Sequence, residues 1–339
     1  MSKLILLDNS KVKTLLKTRA AETKFGEHLC LLSKLTNIYD DIKDLDVDFV
    51  IFGIPEDIGV FANHGNTGTS NSWNATIKAL LNIQSNRYTR PKKVLILGHL
   101  DYSASLKKLK ELDQSSKKDV NKARKIVAKI DKDVTHIVHQ IVKAGKIPII
   151  IGGGHNNAYG NIKGTALAKG KAINVINLDA HTDFRKEEGR HSGNGFSYAY
   201  TEGFLNKYFI FGLHENYTSE NIFETLDKVK HIKYNSFEAL NVRKELKFKL
   251  ELQRALEHIN TQSYGIEIDC DAIENISSSA MTPSGFSVNK VREFIHFFAK
   301  QPNACYLHIC EAAPHNGNDA SIGKLISFLI TDFIRAKSM

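Results

Sequence analysis

Eight short apolar runs do most to limit how this chain can fold. They are Phe49–Phe52, Val94–Leu97, Ile147–Ile151, Ile173–Leu178, Tyr208–Phe211, His231–Tyr234, Tyr264–Asp269 and Cys305–Ile309. Most are near-continuous rather than alternating in apolar character, as strands buried on both faces are. Helical stretches lie between most of them. The clearest runs from about Asp119 to Ala144, where Val120, Ala123, Val127, Ile130, Val134, Ile137 and Ile141 recur in steps of three and four. That spacing makes one buried stripe, and Gly145 is placed to cap its C-terminus. Strands alternating with helices imply a parallel sheet with helices on both sides. Loops that follow strands then gather along one edge. A closed eight-stranded barrel would give the same local pattern, and periodicity leaves it open.

Three of the runs end in polar residues that carry chemistry. Ile147–Ile151 is followed by GGGH, ending in His155. Ile173–Leu178 is followed by Asp179-Ala-His181-Thr-Asp183, and Tyr264–Ile268 by Asp269-Cys-Asp271. In extended chain, residues i, i+2 and i+4 face one way. Asp179, His181 and Asp183 therefore point together, and so do Asp269 and Asp271, with Cys270 turned to the core. If the three strand ends are neighbours, four carboxylates and two imidazoles converge. Four uncompensated Asp charges in one pocket are strongly unfavourable. Two divalent cations cancel them. Carboxylate and imidazole without thiolate suit Mn²⁺ better than a structural zinc site. Six ligands hold two ions only if some are shared, and Asp179 and Asp269, each at a strand terminus, are the natural bridges. No Lys-Ser/Thr follows the glycines, so GGGH is not a phosphate loop, and GxSxG and HExxH are absent.

Composition removes other classes. Hydrophobic residues make up 42% and charged residues 24%, which excludes a disordered or collagen-like chain. The formal charge is +9. Its densest lysine run, Lys107 to Lys125, is interleaved with Glu111, Asp113 and Asp119, the pattern of a solvated helix face. It also lacks the interleaved aromatics of a nucleic-acid surface, so no nucleic-acid partner is expected. The run Leu325–Ile330 is too short to span a bilayer, and Asp8 interrupts the N-terminal run too soon for a signal peptide. Cys30, Cys270, Cys305 and Cys310 have no CxxC spacing, which fits a reduced, cytoplasmic protein.

GGGH (Gly152–His155), NLDAHTD (Asn177–Asp183) and EIDCD (Glu267–Asp271) together resemble the motifs of the ureohydrolase family: arginases, agmatinases and formimidoylglutamases. FGIPEDIGVFANHGNTG (Phe52–Gly68) extends the likeness, which covers about residues 45–335. The resemblance implies a three-layer α/β/α sandwich around an eight-stranded parallel sheet, as one domain over residues 1–339 with an N-terminal extension to about residue 45. It implies two Mn²⁺ per chain, with His155 and Asp183 completing one shell, His181 and Asp271 the other, and Asp179 and Asp269 bridging. It also implies hydrolysis of a C–N bond in a linear amidine or guanidine, by a homo-oligomer.

Within the family, arginases and agmatinases place a catalytic His where this chain has Phe196. SGNGF, Asp183-Phe-Arg185, GGGH and the serine-rich Ile276–Ser287 stretch resemble formimidoylglutamases more. Formimidoylglutamate, giving glutamate and formamide, is thus the first candidate substrate, arginine the second and agmatine the third. By the same likeness Glu311 in HICEAAP holds the amidine nitrogens, and Asp183 relays a proton. Ser192-Gly193-Asn194 resembles the arginase loop that holds the amino-acid end of the substrate, Arg185 is a candidate partner for a substrate carboxylate against a plain surface salt bridge, and His191 is a candidate proton donor. Two departures stand out: Asn156 replaces the common Ser or Glu, and Glu267 stands where many relatives have Ser. A catalytically inactive scaffold of the same fold is the alternative of a different class. The intact six-ligand set argues against it.

Overall fold

The computed structural model describes residues 3–315 and 317–338. In chain order it runs β1 (Leu4–Leu6), α1 (Asn9–Leu15), α2 (Ile38–Ile42), β2 (Phe49–Gly53), α3 (Ile58–Ala62), α4 (Ser72–Leu80), β3 (Val94–Leu100), α5 (Ser103–Leu109) and α6 (Lys117–Lys143). It continues β4 (Ile147–Ile151), α7 (Asn157–Lys169), β5 (Ile173–Leu178), α8 (Gly195–Thr201), β6 (Leu205–Leu213), α9 (Glu220–Lys228) and β7 (Ile232–Ser236). The last elements are α10 (Phe248–Ile259), β8 (Tyr264–Asp269), α11 (Val288–Ala299), β9 (Ala304–Cys310) and α12 (Asp319–Lys337).

Every expected strand forms. Among the described residues the sheet has nine strands rather than eight, in the order β1-β3-β2-β4-β9-β8-β5-β6-β7. The additional strand, β1, pairs antiparallel with β3, whereas the other neighbours are all parallel. β1 belongs to the segment expected as an extension. The sheet is open, with edges at β1 and β7, which removes the closed barrel.

Side chains alternate faces along each strand, and each face has its own core. Phe49 and Ile51, Ile149 and Ile151, and Ile266 and Ile268 pack on one side with α4, α10, α11 and α12. Val50, Phe52, Ile150 and Val175 pack on the other with α6, α7 and α8. Burial on both faces is what made the runs continuous. The whole predicted stripe of α6 is buried, and Gly145 follows it at φ +76°, as a helix-ending glycine does. α7 lies close on α6 because Gly160 and Gly164 face it. A Cβ at Gly160 would stand 2.7 Å from Val134, and one at Gly164 would stand 2.6 Å from the Thr135 carbonyl.

Four central, adjacent strands, β4-β9-β8-β5, end at the same edge. Their following residues are GGGH, Glu311, Asp269–Asp271 and Asp179–Asp183. Sequence-distant motifs meet because β9 and β8 insert between β4 and β5.

Candidate metal centre

The His155 side chain is fully buried, and its Nδ1 atom is the focus of the site. Nδ1 lies 3.1 Å from Asp179 Oδ2, 2.8 Å from Asp183 Oδ2 and 3.1 Å from Asp269 Oδ2. These four donor atoms all fall within 4.8 Å of one another. One imidazole nitrogen can share a proton with only one of three carboxylates, so the cluster calls for a cation. Asp179 turns its other oxygen, Oδ1, toward His181 Nδ1 at 3.6 Å, and Asp271 Oδ2 lies 3.8 Å from the same nitrogen. One carboxylate facing two imidazoles is what a bridging ligand requires. The donor set thus fits two hard or borderline divalent ions.

The electrostatics agree. Burial, then Asp271 and Asp179, push Asp269 well above the usual carboxylate range. Burial and Asp179 raise Asp183, and burial raises Asp271. Asp179 is lowered against burial because His155 and His181 both face it. His181 is pushed up to about 10: burial opposes its charge, but Asp179 and its neighbours outweigh that. The pocket therefore demands positive charge.

Local backbone explains the convergence, and it differs from the extended chain expected. Asp179 and Asp183 do reach His155, but through bends rather than a strand, with Asp183 in the left-handed region at φ +44°. Cys270–Ala272 is a 3₁₀ turn, capped by Asp269 Oδ1, which accepts from the Asp271 N–H at 2.7 Å. The glycines of GGGH are dictated by space as well as angle. Gly152 sits at φ +88°, and a Cβ there would lie 2.3 Å from Ser72 Oγ. Cys270 packs in the core as expected.

A cleft of about 550 Å³ opens over these residues. His181, Asp183, Asp269, Asp271, Glu311, Arg185 and Ser192 line it, together with Asn63, His64, Asn66, Tyr217 and Ser279. Glu311 follows β9 at φ +60°, a strained angle for a non-glycine residue. Its Oε1 accepts from the His155 N–H at 2.6 Å, and its Oε2 from Ser279 Oγ. Burial, then Asp271, push it up to about 8. Arg185 donates to Asn63 Oδ1 at 2.8 Å, and Asn63 Nδ2 donates to Ser192 Oγ at 3.1 Å. Phe196 is buried, with its ring 4.4 Å from that of Tyr208 and 5.1 Å edge-on from that of His155. It packs beside His155 rather than lining the cleft, at the position that the sequence resemblance compares with an arginase His.

His191 and Asn194 do not reach the cleft wall. His191 is fully buried, and its Nδ1 accepts from the Gly193 N–H at 3.1 Å. Burial, then Arg185 and Arg124, drive it down to about 3, so at neutral pH it is the uncharged imidazole rather than an imidazolium acid. Asn194 is spent inside the loop, donating to the Gly189 carbonyl at 2.9 Å and accepting from the His191 N–H at 3.0 Å. Arg190 anchors that loop. Its guanidinium pairs with Asp131 on α6 at 2.9 Å, donates to the Asn156 carbonyl at 2.9 Å, and lies between the Tyr159 and Tyr198 rings.

Sequence reading missed Asn63, His64 and Asn66. The Phe52–Gly68 motif flagged their neighbourhood without giving them roles. Asn66 bonds twice to the Ser279 carbonyl, at 3.1 Å through its N–H and 2.9 Å through Nδ2. It thereby joins the loop after α3 to the serine-rich stretch.

An open parallel sheet clad in helices, with a carboxylate–imidazole centre at its C-terminal edge, defines a metal-binding α/β protein. The chain belongs to the arginase family, whose model matches residues 47–334. A formimidoylglutamase of Hahella chejuensis is 30% identical over 197 residues, 55% of this chain and 53% of that one. The match thus spans about half the length of that relative. A formimidoylglutamase of Streptococcus pyogenes is 24% identical over 291 residues, 83% of this chain and 82% of that one. Among solved structures, Bacillus subtilis formimidoylglutamase superposes with a TM-score of 0.74 at 17% identity, over 95% of this chain and 94% of that one. Trypanosoma cruzi formiminoglutamase with manganese gives 0.72 at 17% identity, over 93% and 98%. At these identities the superpositions establish the fold. No helix among the described residues is long and apolar enough to cross a membrane.

Proposed function

We propose that this chain hydrolyses the C–N bond of a linear amidine at a binuclear manganese centre, converting formimidoylglutamate to glutamate and formamide. The observation that carries the reading is the convergence of His155, Asp179, Asp183 and Asp269 beneath a cleft that also presents Arg185 and Glu311. His155 and Asp183 would hold one ion, His181 and Asp271 the other, and Asp179 and Asp269 both. Bound there, the ions supply Lewis acidity and make water a nucleophile near neutral pH.

The chain's own groups do the rest. Arg185, steadied by Asn63, takes a substrate carboxylate in a charge-assisted fork. Glu311 accepts hydrogen bonds from the amidine nitrogens, and Ser279 and the His155 N–H fix its two oxygens. Asp183 faces the cleft and is placed to pass a proton from the attacking water to the departing glutamate nitrogen. Phe196 keeps an apolar surface against His155, so that position offers no imidazole for an arginase-type proton transfer. The names of the Hahella and Streptococcus relatives support the same substrate.

A side-by-side assay of formimidoylglutamate, arginine and agmatine with Mn²⁺, scoring formamide and urea, tests the reading. Formamide release and about two Mn²⁺ per chain are expected. Purified protein without bound divalent metal, and with activity indifferent to chelator and Mn²⁺, would overturn it. Faster turnover of arginine would replace the substrate and keep the chemistry.

A further inference from the structure

We propose that Glu267 makes the two metal positions unequal, setting a buried carboxylate behind the outer nitrogen of His155 with no such carboxylate behind His181; the inference rests on the metal-centre reading above. Glu267 lies two residues before Asp269 on β8 and so shares its face. In the parallel register it is directly opposite His308 on β9, with Tyr306 two residues earlier. Glu267, His308, Tyr306 and His155 are all fully buried. Tyr306 donates its hydroxyl to Glu267 Oε1 at 2.7 Å. Glu267 Oε2 lies 2.5 Å from His308 Nδ1 and 3.5 Å from His155 Nε2.

The two nitrogens of His155 therefore have different jobs. Nδ1 faces three Asp oxygens, and a nitrogen that offers its lone pair to a cation carries no proton. The proton belongs on Nε2, a buried atom with no hydrogen bond of ordinary length. Glu267 is the carboxylate facing it. A carboxylate behind a ligand imidazole fixes its tautomer and orientation and raises its basicity, and removing such a partner weakens metal binding about 10- to 100-fold. His181 is built otherwise. Its side chain is 29% exposed, and its ring stacks on Tyr217 at 5.3 Å. An added negative charge behind one imidazole only should tighten the position beside His155 and leave the His181 position the weaker.

The test is Mn²⁺ titration of chelator-stripped, full-length protein, with free Mn²⁺ followed by electron paramagnetic resonance. Wild type should fill in two separated steps. Glu267→Gln keeps the volume and removes the charge. It should weaken the tighter step 10- to 100-fold and leave the weaker step within about threefold, closing the gap. Glu267→Asp retracts the charge by one methylene and should weaken the tighter step several-fold, which keeps the test alive if Glu267→Gln does not fold. Tyr306→Phe touches the same carboxylate but not His155, and should leave both steps within about threefold. A merely structural role predicts that Tyr306→Phe disturbs binding as Glu267→Gln does. The inference is overturned if wild type fills both positions in one step, if the Glu267 variants leave the tighter step in place, or if they weaken both steps alike. Wild type that binds no Mn²⁺ would instead remove the metal-centre reading.

Discussion

Arg185 and Glu311 line one cleft, yet each should leave a different kinetic signature. On the proposed reading Arg185, which is exposed, would meet a part of the substrate that does not react, and Glu311 the part that does. A charge-assisted bond to a carboxylate is worth roughly 1.5–3 kcal/mol, so Arg185→Ala should lower kcat/KM about ten- to a hundredfold. The loss should fall mainly on KM, because the contact is alike in ground and transition states. Glu311→Gln should lower kcat instead, since that side chain meets the reacting amidine. Steady-state kinetics on formimidoylglutamate decide both, and an unchanged KM for Arg185→Ala would move the carboxylate site elsewhere. Residue types and spacing marked the six candidate ligands in the sequence because metals dictate donors. Asn63 was silent: an Asn ahead of His-Gly has many ordinary uses, and only the fold brings it to Arg185 and Ser192. His191 misled for the same reason, since a loop His looks identical whether it faces a cleft or caps a turn.

At the scale of elements, the loop from Asp183 to Phe196 is held to α6 by a buried ion pair, Arg190–Asp131, and by a more exposed one, Arg124–Glu188 at 3.0 Å. Arg190 and Asp131 are 5% and 4% exposed, so removing either leaves a charge stranded. Arg190→Ala should cost about 3–5 kcal/mol in urea unfolding, whereas replacing both partners by apolar residues of similar size should cost much less. Arg185 rides on the same loop, its N–H donating to the Gly193 carbonyl at 3.1 Å. A displaced loop should therefore raise KM as well, and Arg190→Ala with full stability and normal KM would show that the anchor is idle. Most of the parallel strands were readable because double burial makes them near-continuously apolar; β7, at the sheet edge, is buried only at Ile232 and Asn235. β1 was not readable. A three-residue edge strand buries little, and its pairing with β3 is a tertiary choice that no local pattern announces.

For the whole molecule, two linkages are measurable. Ions that bind the folded centre and not the unfolded chain should stabilise the fold by about 2.7 kcal/mol per site at a hundredfold excess over the dissociation constant, so the melting temperature should rise with Mn²⁺ concentration. A flat melting curve across Mn²⁺ concentrations would contradict a preformed centre. Protons act through His258, which burial drives to about 4 and whose Nε2 lies 3.0 Å from the His231 carbonyl. Between its ordinary value of 6.5 and about 4 the unfolded chain binds a proton that the folded chain refuses, so this group's contribution falls as pH falls. The stability advantage of wild type over His258→Gln should therefore shrink from pH 7 toward pH 4, and a constant difference would exclude the linkage. The order of the central strands, β4-β9-β8-β5, also has a consequence in time. β4 and β5 leave the ribosome almost together, yet the two strands that belong between them, β8 and β9, begin only at Tyr264 and Ala304. A nascent chain that has exposed His155, Asp179, His181 and Asp183 still lacks Asp269 and Asp271, and nothing yet holds its first four donors in register. A centre that needs all six donors therefore cannot be completed before β8 has been added to the growing chain.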